Sequence, residues 1–197
     1  MTLLATVLYE DQRGPTRGFG LHEFVMRCAY DAGDIPDNRI YLLQDTVQCI
    51  PLKGSGKVRQ ALGHHLANLA ASGQPVFVVL DNDRVRDLLN LPPQANAEEV
   101  VDAINSLCRG SGIRVNVTLL VQNTESVLDA AVQCDPDIDQ NLAGKAIERK
   151  EPGARDILFG RLARAAQRAI RDCILQHIPS LRPLTEDLAR IFAHVRT

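Results

Sequence analysis

Tryptophan is absent from this chain, and only 4% of its residues are aromatic. A core must therefore be assembled from Leu, Val, Ile and Ala rather than from large rings. No uninterrupted apolar run approaches the roughly 20 residues of a membrane-spanning helix, so no membrane partner is expected. None of the five cysteines (Cys28, Cys49, Cys108, Cys134, Cys173) has a CxxC partner, and the count is odd. That argues against a structural zinc and predicts reduced thiols in a cytoplasmic protein. The amino-terminal residues lack a basic region followed by an apolar stretch and a cleavage site. Charge of one sign is also missing. The formal net charge is −2, so a nucleic-acid partner would need a local basic patch.

What is present centres on Val76-Phe77-Val78-Val79-Leu80-Asp81-Asn82-Asp83. The apolar run reads as a strand buried on both faces. Two carboxylates follow where it leaves the core. In an extended chain, positions i and i+2 point the same way, so Asp81 and Asp83 would hang side by side. That edge is where open α/β sheets place their sites. Like charges at such spacing favour a hard divalent cation, and Mg²⁺ takes one or two carboxylates with waters and substrate phosphates. Solvated aspartates at a turn are the plainer alternative.

The same pattern recurs along the chain. Thr2 to Tyr9 is a second β-rich run, ending at Glu10-Asp11 before a loop with Gly14, Pro15, Gly18 and Gly20. Leu21 to Tyr30 has helical spacing, with Leu21, Phe24, Val25 and Cys28 on one face. Arg39 to Leu43 is read as a short strand and residues 44–56 as irregular. Gly54-Ser55-Gly56-Lys57 fails as a phosphate loop, because Ile50 and Val58 stand where that motif needs Gly and Ser or Thr. Helices are predicted over Val58 to Ala71, for one or two turns within Arg84 to Asn90, and over Ala97 to Cys108, where Gly110 and Gly112 stop it. Ile113 to Val121 reads as a strand. Thr124 is placed to cap the helix from Glu125 to Val132, and Glu125 suits that helix's dipole or adds a carboxylate to the rim.

Strands alternating with helices predict an α/β fold: a mainly parallel sheet with helices on both faces. Residues 1–135 form that core, and 136–197 a helical extension packed on it. Asp135, Asp137 and Asp139 lie in a turn that is either a solvated linker or a further ligand source. Gln140 to Glu148 is a short helix. Ala154 to Ile178 is read as the longest helix, burying Leu158, Leu162, Ala165, Ala169 and Cys173. On it Arg161, Arg164, Arg168 and Arg171 make a second stripe, with Arg149, Lys150 and Arg155 nearby. This stripe is either a solvated face or a surface for a phosphate backbone.

Leu8-Tyr9-Glu10 with its Gly-rich loop, followed by Val79-Leu80-Asp81-Asn82-Asp83, resembles the Toprim (topoisomerase–primase) superfamily. There, a glutamate ends the first strand and a later strand ends in Asp-x-Asp. Asn123-Thr124-Glu125-Ser126-Val127-Leu128 and Arg149-Lys150-Glu151-Pro152 extend the likeness to small standalone Toprim-like proteins related to the nuclease domain of the overcoming-lysogenization-defect family. Asp11 rather than Gly follows Glu10, and Arg84-Val85 rather than Ala-Gly follows Asp83. The second departure argues against primase or topoisomerase activity. The resemblance implies a nuclease acting on DNA or RNA with Mg²⁺ or Mn²⁺ at Glu10, Asp81, Asp83 and Glu125. It also implies Lys150 as a neutraliser of phosphate charge, and an ATPase partner or a phage-defence setting. Alternatives are a non-catalytic binding or assembly subunit of that fold and a small-substrate phosphohydrolase.

Overall fold

The computed structural model describes residues 3–11, 18–43, 45–52, 58–69, 73–107, 115–120 and 123–196. Within them the chain runs β1 (Ala5–Tyr9), α1 (Leu21–Ala32), α2 (Asp37–Ile40), β2 (Val47–Pro51), α3 (Val58–Leu69), β3 (Val76–Leu80), α4 (Val85–Leu89), α5 (Ala97–Leu107) and β4 (Val115–Leu119). It continues through α6 (Glu125–Cys134), α7 (Gln140–Ile147), α8 (Pro152–Leu162), α9 (Arg168–His177) and α10 (Leu181–Ala193). The four strands form one parallel sheet in the order β2-β1-β3-β4. Several sequence features lie outside the described residues: Gly14 and Pro15, the Gly54-Ser55-Gly56-Lys57 run, Ala71, Cys108, Gly110, Gly112 and Ile113.

Strand periodicity divides the core in two. Val7, Tyr9, Phe77 and Val79 face a layer containing α1, α6 and the helices after it. Leu8, Val76, Val78 and Leu80 face α3, α4 and α5 through Leu62, Leu66, Val85, Leu89, Val100 and Ile104. Both central strands are buried along their whole length, which is why β3 is continuously apolar and β1 is apolar apart from Thr6. The helices after residue 135 join the first layer through Leu158, Phe159, Ile174, Leu188 and Phe192.

Two elements differ from expectation. Arg39 to Leu43 is not a strand: α2 covers Asp37–Ile40, and turns follow it. The strand instead lies in the stretch read as irregular, Val47–Pro51, paired only with β1. An edge strand is half-exposed and tolerates Pro51, so its sequence carries a weak signal. The single helix expected from Ala154 to Ile178 is two. Arg164 is extended (φ −70°, ψ 144°) and a 3₁₀ turn, Ala165–Gln167, separates α8 from α9. Ala165 and Ala169 are therefore exposed rather than buried. No Gly or Pro marks the break. Arg171, which is fully buried, packs its guanidinium against the break. Its Nη1 donates to the carbonyls of Leu162 (2.6 Å) and Arg164 (2.7 Å), the second of which also accepts from the Gln167 amide (3.1 Å).

The expectation of reduced thiols fails for one pair. Cys134 at the end of α6 and Cys173 on α9 form a disulfide. Their separation of 39 residues hides the pairing from any spacing rule. Cys28 is a buried free thiol and Cys49 a half-buried one.

Candidate active site

β1 and β3 lie side by side at the centre of the sheet, with Tyr9 level with Val79. The chain leaves β1 towards β2 on one side and returns through β3 on the other. This is the topological switch point, where a crevice opens beyond the carboxyl ends of the strands. Glu10 and Asp81 are the first residues past those ends. The Glu10 amide donates to the Val79 carbonyl (2.9 Å), and Glu10 Oε2 accepts from the Asp81 amide (3.1 Å). Two carboxylates distant in the chain are thus held by one lattice of backbone bonds.

That closeness has an electrostatic consequence. Burial, reinforced by the charges of Glu10, Asp83 and Glu125, pushes the Asp81 carboxyl up to about 8. Glu10 is buried, and desolvation raises it as well, against the stabilising bond from the Asp81 amide. Asp83 reaches the rim by a different route from the one its spacing implies. Residues 82–84 turn rather than extend, so the i, i+2 rule does not apply. Asp83 is exposed, and its Oδ2 accepts from Asn123 Nδ2 (3.3 Å) across the mouth of the crevice.

The start of α6, after β4, supplies the third contributor. Thr124 does not cap this helix; its side chain makes no capping bond. Its hydroxyl lies 3.4 Å from both the Glu10 carbonyl and Asp81 Oδ1, so its single proton is shared between them. Glu125 is buried and turned towards cations: Arg155 Nη1 donates to Oε1 (3.0 Å), and Lys150 Nζ is 3.5 Å from Oε2. Lys150 holds φ +54°, the left-handed region that favours glycine. The Glu151 amide bonds to the Lys145 carbonyl (2.9 Å), closing the end of α7 around it. A lysine where the backbone favours glycine delivers an ammonium group to the rim.

Glu10, Asp81, Asp83, Glu125 and Lys150 are therefore brought together. The carboxylates do not converge on a single point, since no three of them have oxygens all within 4.8 Å of one another. Each is instead drawn aside by its own donor. The donor set is all oxygen and suits a hard cation, provided the side chains of Asp81 and Asp83 rotate inward.

Three of the four stripe arginines are paired with aspartates. Arg161 makes two bonds to the buried carboxylate of Asp135 (2.7 and 3.0 Å). Arg168 pairs with Asp34 (2.8 Å). Arg171 pairs with Asp31 (2.6 Å) and has no exposed surface. Arg164 is exposed, and among the described residues it alone of the four has no such pair. The helix break divides these residues, with Arg161 on α8 and Arg168 and Arg171 on α9. Asp135 is no linker residue or ligand, and Asp139 caps α7 by accepting from the Leu142 amide (2.7 Å).

Sequence reasoning passed over His22, Asn123 and Arg155 as site neighbours. His22 is buried, stacks on Tyr9 at 5.4 Å, and has both ring nitrogens without hydrogen-bond partners. Desolvation pushes it down to about 4, leaving a neutral ring behind the acidic rim. Burial also raises the Tyr9 phenol. Arg155 was visible only as one more basic residue, because its pairing spans 30 positions. Among the described residues no helix is long and apolar enough to cross a membrane. Compared with known protein families, curated proteins and solved structures, the chain matches none.

Proposed function

We propose that this protein is a divalent-metal-dependent nuclease hydrolysing phosphodiester bonds of DNA or RNA. The observation that carries the reading is the meeting of Glu10 and Asp81 past the ends of β1 and β3, Glu10 Oε2 accepting from the Asp81 amide (3.1 Å), where burial and neighbouring carboxylates push Asp81 up to about 8. An acidic crevice of that kind at a switch point accepts a positive counter-ion in place of a proton. Glu10, Asp81 and Asp83 would hold Mg²⁺ or Mn²⁺, with Glu125 at a second position. Bound there, the ion supplies Lewis-acid polarisation of a phosphate and a more acidic water. The chain's own groups do the rest. As the alternative to holding the ion, Glu10, raised by burial, would take the proton of an attacking water. Lys150, tethered through Glu125, offers its ammonium to charge growing on the phosphate. The Toprim resemblance of the Glu10 and Asp81-Asn82-Asp83 motifs supports the same chemistry. An ATPase partner belongs to that resemblance alone; the cytoplasmic setting rests on scattered cysteines, two of which form a disulfide.

A second reading, hydrolysis of a small phosphate ester, is favoured by the internal pairing of Arg161, Arg168 and Arg171, which leaves no broad basic track. Plasmid DNA, single-stranded RNA and nucleoside triphosphates, each incubated with Mn²⁺ or with chelator, separate the two. The nuclease reading expects Mn²⁺-dependent strand cleavage that disappears in Asp83→Ala and Glu10→Gln. Hydrolysis of nucleotides without cleavage of either polymer transfers the site to the second reading. No Mn²⁺-dependent activity on any of the three overturns both.

A further inference from the structure

Cys134, Cys173 and His177 form a second cluster of ligand atoms, away from the acidic rim. Their two sulfurs and a His177 ring nitrogen all lie within 4.8 Å of one another, the only such group of three among the described His, Cys, Asp and Glu residues. Cys173 and His177 are four positions apart on α9, so they share one face of that helix. Cys134, the last residue of α6, completes the set. Glu125 opens the same helix, and ten residues at the helical rise place the clusters about 14 Å apart along it.

A structural disulfide has no need of a histidine. Here an exposed imidazole nitrogen stands within 4.8 Å of both sulfurs, which belong to half-buried residues. The other described cysteines, Cys28 and Cys49, are not part of this group. Two thiolates and an imidazole are the donor set of tetrahedral zinc, with a fourth position left for water. Sulfurs sharing one tetrahedral zinc lie about 3.8 Å apart, given zinc–sulfur bonds near 2.3 Å. The Cα atoms, 5.9 Å apart, allow that opening by side-chain rotation without moving either helix.

The geometry points to a redox-gated site for a borderline-soft divalent cation of the zinc class, formed by Cys134, Cys173 and His177 when the disulfide is reduced. A dithiol reductant supplies two electrons and two protons to the disulfide, becoming a disulfide itself. Each chain thiol then gives up its proton as the cation binds, and the His177 ring donates a lone pair. Disulfide and metal are mutually exclusive, and each ties the end of α6 to α9. The reduced, metal-free form lacks that tie.

Cobalt(II) is the probe. Wild-type protein reduced with dithiothreitol and freed of it under argon should take up one equivalent of Co²⁺ with a thiolate-to-cobalt charge-transfer band. The oxidised protein should show no such band. Cys173→Ser should abolish it. His177→Ala, a change at an exposed position, should weaken binding by at least about tenfold, the loss that even outer-shell partners of a metal carry. Asp81→Ala should leave the band intact, because carboxylates give no thiolate transition. Absence of the band in reduced wild type overturns the inference, as does binding unchanged in His177→Ala.

Discussion

Replacing Asp81 with Asn tests the electrostatic reasoning directly. The carboxyl lies at about 8 in the folded protein, against an ordinary 3.8. The folded state therefore holds a proton that the unfolded chain has released. Stability contributed by the neutral form is present below the unfolded value and is lost as pH rises from about 4 to 8. Over that whole window the ceiling is about 6 kcal/mol. Part of the Asp81 surface stays wet and its neighbours relax, so about half that ceiling, ~3 kcal/mol, is expected. Asn keeps the shape and still accepts from Thr124, but cannot ionise. In chelator at about pH 8.5, Asp81→Asn should be more stable than wild type by ~3 kcal/mol, or about 6–12 °C in thermal midpoint for a chain of this size. At about pH 5 the difference should shrink to a third or less, since most of the window then lies above the working pH. Urea denaturation at both values, with the variant on the same background of other ionisable groups, reads it. Equal stability of the two proteins at pH 8.5, or a more stable wild type there, would refute the crowded-carboxylate account. Adding Mg²⁺ at pH 8.5 extends the test. A cation bound only by the folded state stabilises wild type by mass action, and it should stabilise the Asn variant less.

Other outcomes follow from the same contacts. Lys150→Gly relieves a left-handed lysine, so it should raise stability in urea by up to about 1 kcal/mol while cutting Mn²⁺-dependent cleavage; unchanged cleavage would leave Lys150 a purely structural role. Arg171→Met takes the buried donor from Asp31 and from the Leu162 carbonyl and should cost about 3–5 kcal/mol, and a loss below about 1 kcal/mol would contradict the weight given to that buried ion pair. His22, pushed down to about 4, should show no titration of its ring protons by NMR between about pH 5.5 and 8. Its sign is opposite to that of Asp81: the folded state resists protonation, so stability is lost as pH falls from the unfolded 6.5 towards 4.

Continuous apolar runs at residues 76–80 and at the end of β1 were legible as buried strands because a strand covered on both faces has no polar side to show. Helical periodicity placed α1 and α5 for the corresponding reason: each has one buried stripe, read at spacings of three and four. The carboxylates at strand ends were legible too, since a polar residue closing an apolar run marks where the chain leaves the core. Edge strand β2, by contrast, was hidden, because half-exposed backbone with a proline resembles a loop. The arginine stripe was misleading, because equal spacing on a presumed helix says nothing of which guanidinium finds an aspartate across the fold. Local sequence thus determined which segments are extended or helical and which carry acid. Only the folded chain decided that Glu10 and Asp81 share one crevice, that Thr124 serves the carboxylates rather than its own helix, that Arg171 is buried, and that Cys134 meets Cys173. The physical reason is range: periodicity reports contacts within a few residues, whereas these pairings join positions 30 to 140 apart and exist only after strand order and helix packing are set.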